Sequence, residues 1–143
     1  MQISSRFTIA IHMLTCVETF KEDYKVTSDF LASSINVNPV VIRRILSQLR
    51  DAGIIEVKRG TGGASVLKPL GEITFLDVYR AVECIEENTL FHFHEIPIPL
   101  ARLEKIIHKY TGTDKLLRVQ QAMERELASI TLADVLEDLK KYR

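Results

Sequence analysis

The run VTSDFLASSINVNPVVIRRILSQLRDAGIIEVKRGTGGASVL, residues 26–67, holds two helices with marked ends and a glycine-tipped strand pair. Thr27 is an N-cap type preceded by an apolar residue, Val26, which can staple to Leu31 one turn into a short helix ending near Ser34. A turn at Ile35-Asn36-Val37 follows. Asn38 caps a second helix whose first position is Pro39, where a missing N–H costs nothing, and Gly53 closes it because glycine tolerates the left-handed conformation. Ile54-Ile55-Glu56-Val57-Lys58 and Ala64-Ser65-Val66-Leu67 are β-prone runs on either side of Arg59-Gly60-Thr61-Gly62-Gly63, a stretch too rich in glycine to be other than a turn. A short helix, a tight turn, a second helix and a hairpin together make a winged helix-turn-helix.

In the second helix Ile42, Ile45, Leu46 and Leu49 recur at the helical period and must face a core, which turns Arg43, Ser47 and Arg50 outward with Arg44 beside them. In a helix-turn-helix the N-terminal part of the second helix meets base edges in the major groove, and Arg43 and Arg44 lie there. The plain alternative is a set of solvated charges on an ordinary surface helix. The wing favours the DNA-reading interpretation. Arg59 at its tip can enter an A·T-rich minor groove, while Lys58 and the loop amides can meet phosphates. A nucleotide-phosphate cradle would instead need a helix opening directly from the loop and a Lys-Ser/Thr pair, and here a second strand follows. The expected DNA-facing set is Ser28, Asn38, Arg43, Arg44, Ser47, Arg50, Lys58, Arg59 and Thr61.

The 143 residues, 46% hydrophobic, suffice for a real core in one compact domain, with a DNA-binding region over 1–70 and a helical region over 71–143. The expected fold class is mainly α with a small β-hairpin wing. No apolar run reaches the roughly 20 residues that span a bilayer, and the N-terminus lacks a signal-peptide pattern, so a cytoplasmic location is expected. Net charge is zero, yet residues 38–68 hold 6 Lys/Arg against 2 Asp/Glu, which concentrates positive charge on the motif. Cys16 and Cys84 sit in apolar helical segments without metal-binding spacing and read as buried reduced thiols.

A first helix is expected over Ser5 to Phe20, buried on more than one face. Ile73-Thr74-Phe75-Leu76-Asp77-Val78 opens a helix reaching about Glu83, and the same grammar returns at Ile130-Thr131-Leu132-Ala133-Asp134-Val135: an apolar staple, a Thr cap and an Asp three residues on. Asn88 to Pro99 reads as a loop. Its His92 and His94 suit a metal only on a strand, and the sequence places no third ligand. Helix is expected again over Leu100 to His108 and over Asp114 to Ser129. In the latter, Leu116, Val119, Met123, Leu127 and, just beyond, Ile130 form a coiled-coil-like seam. Because a winged-helix unit offers this helix little spare core, a second subunit is its expected partner. A two-fold protein also matches a palindromic site with half-sites about 34 Å apart.

Ser4-Ser5-Arg6-Phe7, Gly53-Ile54-Ile55, Arg59-Gly60-Thr61-Gly62-Gly63, Ile73-Thr74 with Val82-Glu83, and Ile130-Thr131-Leu132 together resemble the Rrf-two family of bacterial transcriptional regulators, over nearly the whole chain. The resemblance implies a homodimer with Asp114 to Ser129 as dimerisation helix, base readers at Arg43 and Arg44, and Arg59 in the minor groove. Several members hold an iron–sulfur cluster through three cysteines in the loop before that helix. From Asn88 to Gly112 this chain offers His92, His94, Glu95 and His108 but no thiol. Some relatives recruit a first-helix histidine, here His12, but the usual carboxylate a turn earlier is Thr8. No cofactor is therefore expected. A small-molecule effector would occupy a pocket between the first helix, the loop and the dimer helix.

The reading is a cytoplasmic, homodimeric repressor of transcription that binds double-stranded DNA at a pseudo-palindromic operator, and not an enzyme. Two other classes frame it. A metal enzyme built on His92, His94 and Glu95 would carry bound metal, and a winged-helix protein-interaction module would bind DNA without regard to sequence.

Overall fold

The computed structural model describes residues 5–59, 62–83 and 114–142. In chain order these form α1 (Ser5–Phe20), α2 (Ser28–Ile35), α3 (Pro39–Asp51), β1 (Ile55–Lys58), β2 (Gly63–Val66), a 3-10 turn (Leu70–Glu72), α4 (Phe75–Glu83), α5 (Asp114–Ser129) and α6 (Leu132–Lys140). The described residues are thus mostly helical with one two-stranded antiparallel hairpin. The loop expected at Asn88 to Pro99, the helix at Leu100 to His108, and Cys84 and Thr61 lie outside the described residues.

The caps form as their chemistry requires. The Thr27 hydroxyl accepts from the Phe30 N–H at 3.2 Å, and the Asn38 side chain accepts from the Val40 N–H at 2.8 Å. Helix α2 runs one residue past its expected end, to Ile35, and stops at Asn36, whose φ of 60° is left-handed. Asparagine enters that region more readily than most residues, so the turn into α3 stays tight. Val26 and Leu31, the expected staple pair, are both buried in one cluster.

That cluster joins Met13, Leu14 and Val17 of α1 to Ile42, Ile45 and Leu49 of α3, Ile54 and Ile55 at the wing base, Val78 of α4 and Leu132 of α6. α1 packs against α2, β2, α4 and α6, while α3 packs against α2, β1 and α4. As expected, α1 is covered on several sides: Met13 is fully buried, and Phe7, Ile9 and Ile11 pack on the cluster edge. Phe7 also meets Phe75 and Tyr79 of α4 edge to face, with ring centroids 5.8 and 5.7 Å apart.

Both Ile-Thr helix starts close as capping boxes. Asp77 N–H donates to the Thr74 hydroxyl at 3.1 Å while Thr74 N–H donates to Asp77 Oδ2 at 3.0 Å. Thr131 and Asp134 repeat the exchange at 3.2 and 2.9 Å. The two starts are also joined to each other by an antiparallel bridge between Thr74 and Thr131: Phe75 N–H donates to Ile130 O at 2.9 Å, and Leu132 N–H to Ile73 O at 2.8 Å. Two segments far apart in sequence thereby fix where α4 and α6 begin.

Candidate nucleic-acid interface

Helix α3 separates its faces cleanly. Ile42, Ile45, Leu46 and Leu49 are buried, whereas Val40, Arg43, Arg44 and Arg50 are exposed and Ser47 is half-buried. Four buried apolar side chains hold the helix against the body, so the outer face is fixed in orientation rather than merely solvated. Ser47 donates its hydroxyl proton to the Arg43 carbonyl at 3.1 Å, and Arg50 pairs with Asp51 at 3.5 Å. Arg43 and Arg44 make no ion pair with a described residue, which leaves both guanidinium groups available to an anion or a base edge. Asn38 is exposed and spends its side chain on the cap, and Ser28 is half-buried at the first position of α2.

The hairpin pairs Ile55 with Val66, Glu56 with Ser65, Val57 with Ala64 and Lys58 with Gly63. The second strand begins at Gly63, one residue earlier than its β-prone run suggested. Gly63 has φ +71°, and a Cβ there would lie 2.9 Å from the Val26 nitrogen and 3.0 Å from its oxygen. Ala64 N–H donates to that same Val26 carbonyl at 2.9 Å. The wing is thus pinned to the segment that leads into α2, and only glycine fits the approach. Lys58 and Arg59 are exposed at the far end, and neither pairs with a described acid. Ser28, Asn38, Arg43, Arg44, Ser47, Arg50, Lys58 and Arg59 therefore all lie on the helix-turn-helix and its wing. Two residues that matter here were not singled out from the sequence. Val40, 64% exposed, is visible in the helical period beside Arg43 and Arg44, while the role of Gly63 required the tertiary contact.

The expected dimer helix, α5, finds partial cover within its own chain, because it packs against α4. That cover is limited, and most of α5 stays exposed or half-buried in the single chain. Leu116, Met123, Leu127 and Ile130 are half-buried, Val119 is 53% exposed, and the most enclosed residue is Gln120, which donates to Glu124 Oε1 at 3.3 Å. Near this contact, Glu83 at the end of α4 has its carboxyl pushed above the usual range by burial, with Arg6 pulling the other way.

The Rrf2 family model, described as an iron-dependent transcriptional regulator, matches residues 3–138. The chain belongs to the Rrf2 family. Among Rrf2-type relatives, YwnA of Bacillus subtilis, provisionally named an HTH-type transcriptional regulator, is 42% identical over 137 residues, covering 96% of this chain and 98% of YwnA. A crystal structure of a protein provisionally described as DNA-binding is 37% identical with a TM-score of 0.74, over 92% of this chain and 99% of that one. A crystal structure of a regulator from Lactobacillus plantarum, also provisionally so described, gives a TM-score of 0.77 at 25% identity, over 95% of this chain and 90% of that one. The Rrf2 chain is a DNA-binding transcriptional regulator, not an enzyme.

The cysteines of this member do not suit the iron named in the Rrf2 description. The chain has two cysteines. Cys16 is buried in the α1 core, where desolvation raises its thiol pKa and disfavours the thiolate that iron would need. Even with Cys84, three thiolates cannot be assembled, so the residues do not fit a cluster held by three cysteines. His12 is exposed on α1, and Thr8 a turn earlier donates its hydroxyl to the Ser5 carbonyl at 2.9 Å. The set His92, His94, Glu95 and His108 lies outside the described residues. Among the described residues, no helix is long and apolar enough to cross a membrane.

Proposed function

We propose that this Rrf2 protein is a homodimeric, cytoplasmic repressor that binds a pseudo-palindromic operator, with α3 in the major groove and Arg59 in the flanking minor groove. The observation that carries this reading is the outer face of α3: Arg43 and Arg44 stand exposed, without an ion pair to any described residue, near the start of a helix whose opposite face is locked into the core. Lys58 and Arg59 add exposed positive charge on the wing. Repression by occlusion requires only that such a face occupy a promoter. The regulator works without a cluster of the three-cysteine kind. Its signal, if it has one, would be a small molecule.

The second subunit would meet α5 along Leu116, Val119, Met123, Leu127 and Ile130. Support comes from Val119, which belongs to this seam yet stays exposed in the single chain. A charge at Val119 therefore disturbs little within one chain and much between two. Val119→Glu is expected to sediment as a folded monomer, and an unchanged dimer would remove this seam.

The DNA-binding reading is tested by fluorescence anisotropy on duplexes from upstream of the protein's own gene, with scrambled competitor at about 150 mM salt, where non-specific phosphate contacts are weakened. Saturable binding that survives competition supports an operator there. Binding lost to competitor leaves the fold reading intact and points to a different target site, an effector-dependent DNA-binding state, or the sequence-indifferent interaction module.

A further inference from the structure

Val40 occupies a place on α3 where a solvated helix face would carry a charge. It is 64% exposed in the first turn, and as a β-branched residue it favours helix less than lysine or glutamate would there. On a helix of 3.6 residues per turn, Arg43 lies about 60° to one side of it and Arg44 about 40° to the other, with Ser47 nearly in line two turns on. Its polar neighbour along that line, Ser47, is engaged inside the helix, its hydroxyl donating to Arg43 O at 3.1 Å. What the midline of the outer face offers outward is thus a short apolar side chain flanked by two guanidinium groups that make no ion pair with a described residue. In the major groove the complementary apolar feature is the 5-methyl group of thymine, the one hydrocarbon that a base edge presents there.

We propose that Val40 is a specificity-determining residue that packs on a thymine 5-methyl group in the major groove, between the base pairs addressed by Arg43 and Arg44. The inference rests on the reading of α3 as the DNA-entering helix and adds the chemistry of one base position to it. A valine is too short to reach the groove floor unless the start of α3 goes in first, which is how a second helix of this motif docks.

The test uses the full-length protein. A duplex is selected from a random library, each thymine in it is replaced singly by deoxyuridine, which lacks only the methyl group, and affinities are measured for wild type and Val40→Ala. At one thymine per half-site, wild type should bind the deoxyuridine duplex about fourfold more weakly, the worth of one buried methyl-sized group. Val40→Ala should bind the two duplexes alike, and circular dichroism should show it folded, since the side chain is mostly exposed. A selected site with no deoxyuridine-sensitive thymine, or a sensitivity that persists in Val40→Ala, overturns the role of Val40 while leaving DNA recognition by α3 intact. Failure to enrich any sequence overturns both.

Discussion

Replacing Gly63 by alanine should damage the protein more than the same change at Gly53, although the two glycines have nearly the same backbone conformation. Their φ angles are +71° and +75°. A left-handed alanine costs roughly 1–2 kcal/mol, of which about 0.4–1 kcal/mol returns through the stiffer unfolded chain. At Gly53 nothing lies within 4 Å of an added Cβ, so that difference, on the order of 1 kcal/mol, is the whole expected effect. At Gly63 the Cβ would meet the Val26 nitrogen, oxygen and carbonyl carbon at 2.9, 3.0 and 3.2 Å, all of them backbone atoms that cannot swing aside. Relieving this moves the wing off the α2 entry and strains the Ala64–Val26 hydrogen bond, adding about 1–3 kcal/mol of the kind measured for overpacked interiors. The expected totals are about 1 kcal/mol for Gly53→Ala and about 2–4 kcal/mol for Gly63→Ala. Urea unfolding followed by circular dichroism at one fixed protein concentration reads both, since association would otherwise shift the midpoint. Equal losses for the two variants would show that the wing is not held by this contact.

Three further outcomes are expected. Arg59→Ala should weaken operator binding by about 1–3 kcal/mol on A·T-rich flanks with little change in stability, and unchanged affinity would remove the wing arginine from the interface. Thr131→Ala breaks the box with Asp134 and should cost about 1 kcal/mol of stability, while Thr131→Ser keeps it; equal stability of all three proteins would show the cap to be idle. Burial holds the Glu83 carboxyl above its unfolded pKa, so the folded state binds the proton more tightly and loses stability as pH rises through the raised value. Glu83→Gln should therefore match wild type near pH 4, where both side chains are neutral, and melt higher than wild type near pH 7.5; a difference independent of pH would contradict this.

What was legible in the sequence was whatever is settled within a turn or two of the chain. Thr27, Asn38, Thr74 and Thr131 announce helix starts because each cap bonds an N–H two or three residues on, and all four form. The outer face of α3 followed from periodicity alone. The contacts between distant segments were not legible. Ile73-Thr74 and Ile130-Thr131 read as two separate helix starts, and nothing local says that their backbones pair. Gly63 read as one turn glycine among several, because the neighbour that requires it, Val26, precedes it by two helices and a strand. Gln120 broke no pattern as a polar residue between Val119 and Met123, yet it is the most enclosed described position on α5, a helix that packs against α4. The positions of Arg43, Arg44 and Arg59 needed only local rules, whereas the anchoring that aims them depended on the assembled fold.

An outer face of α3 that reads DNA sequence should depend on Arg43 and Arg44 for its preference. The most direct measurement compares the sequences that wild type and Arg43→Ala/Arg44→Ala enrich from a random duplex library, with circular dichroism showing that both are folded. Wild type should enrich a two-fold sequence, and the variant should lose the preference at the central positions of each half-site while keeping its salt-dependent affinity for any duplex. Enrichment of the same sequence by both proteins would contradict that dependence.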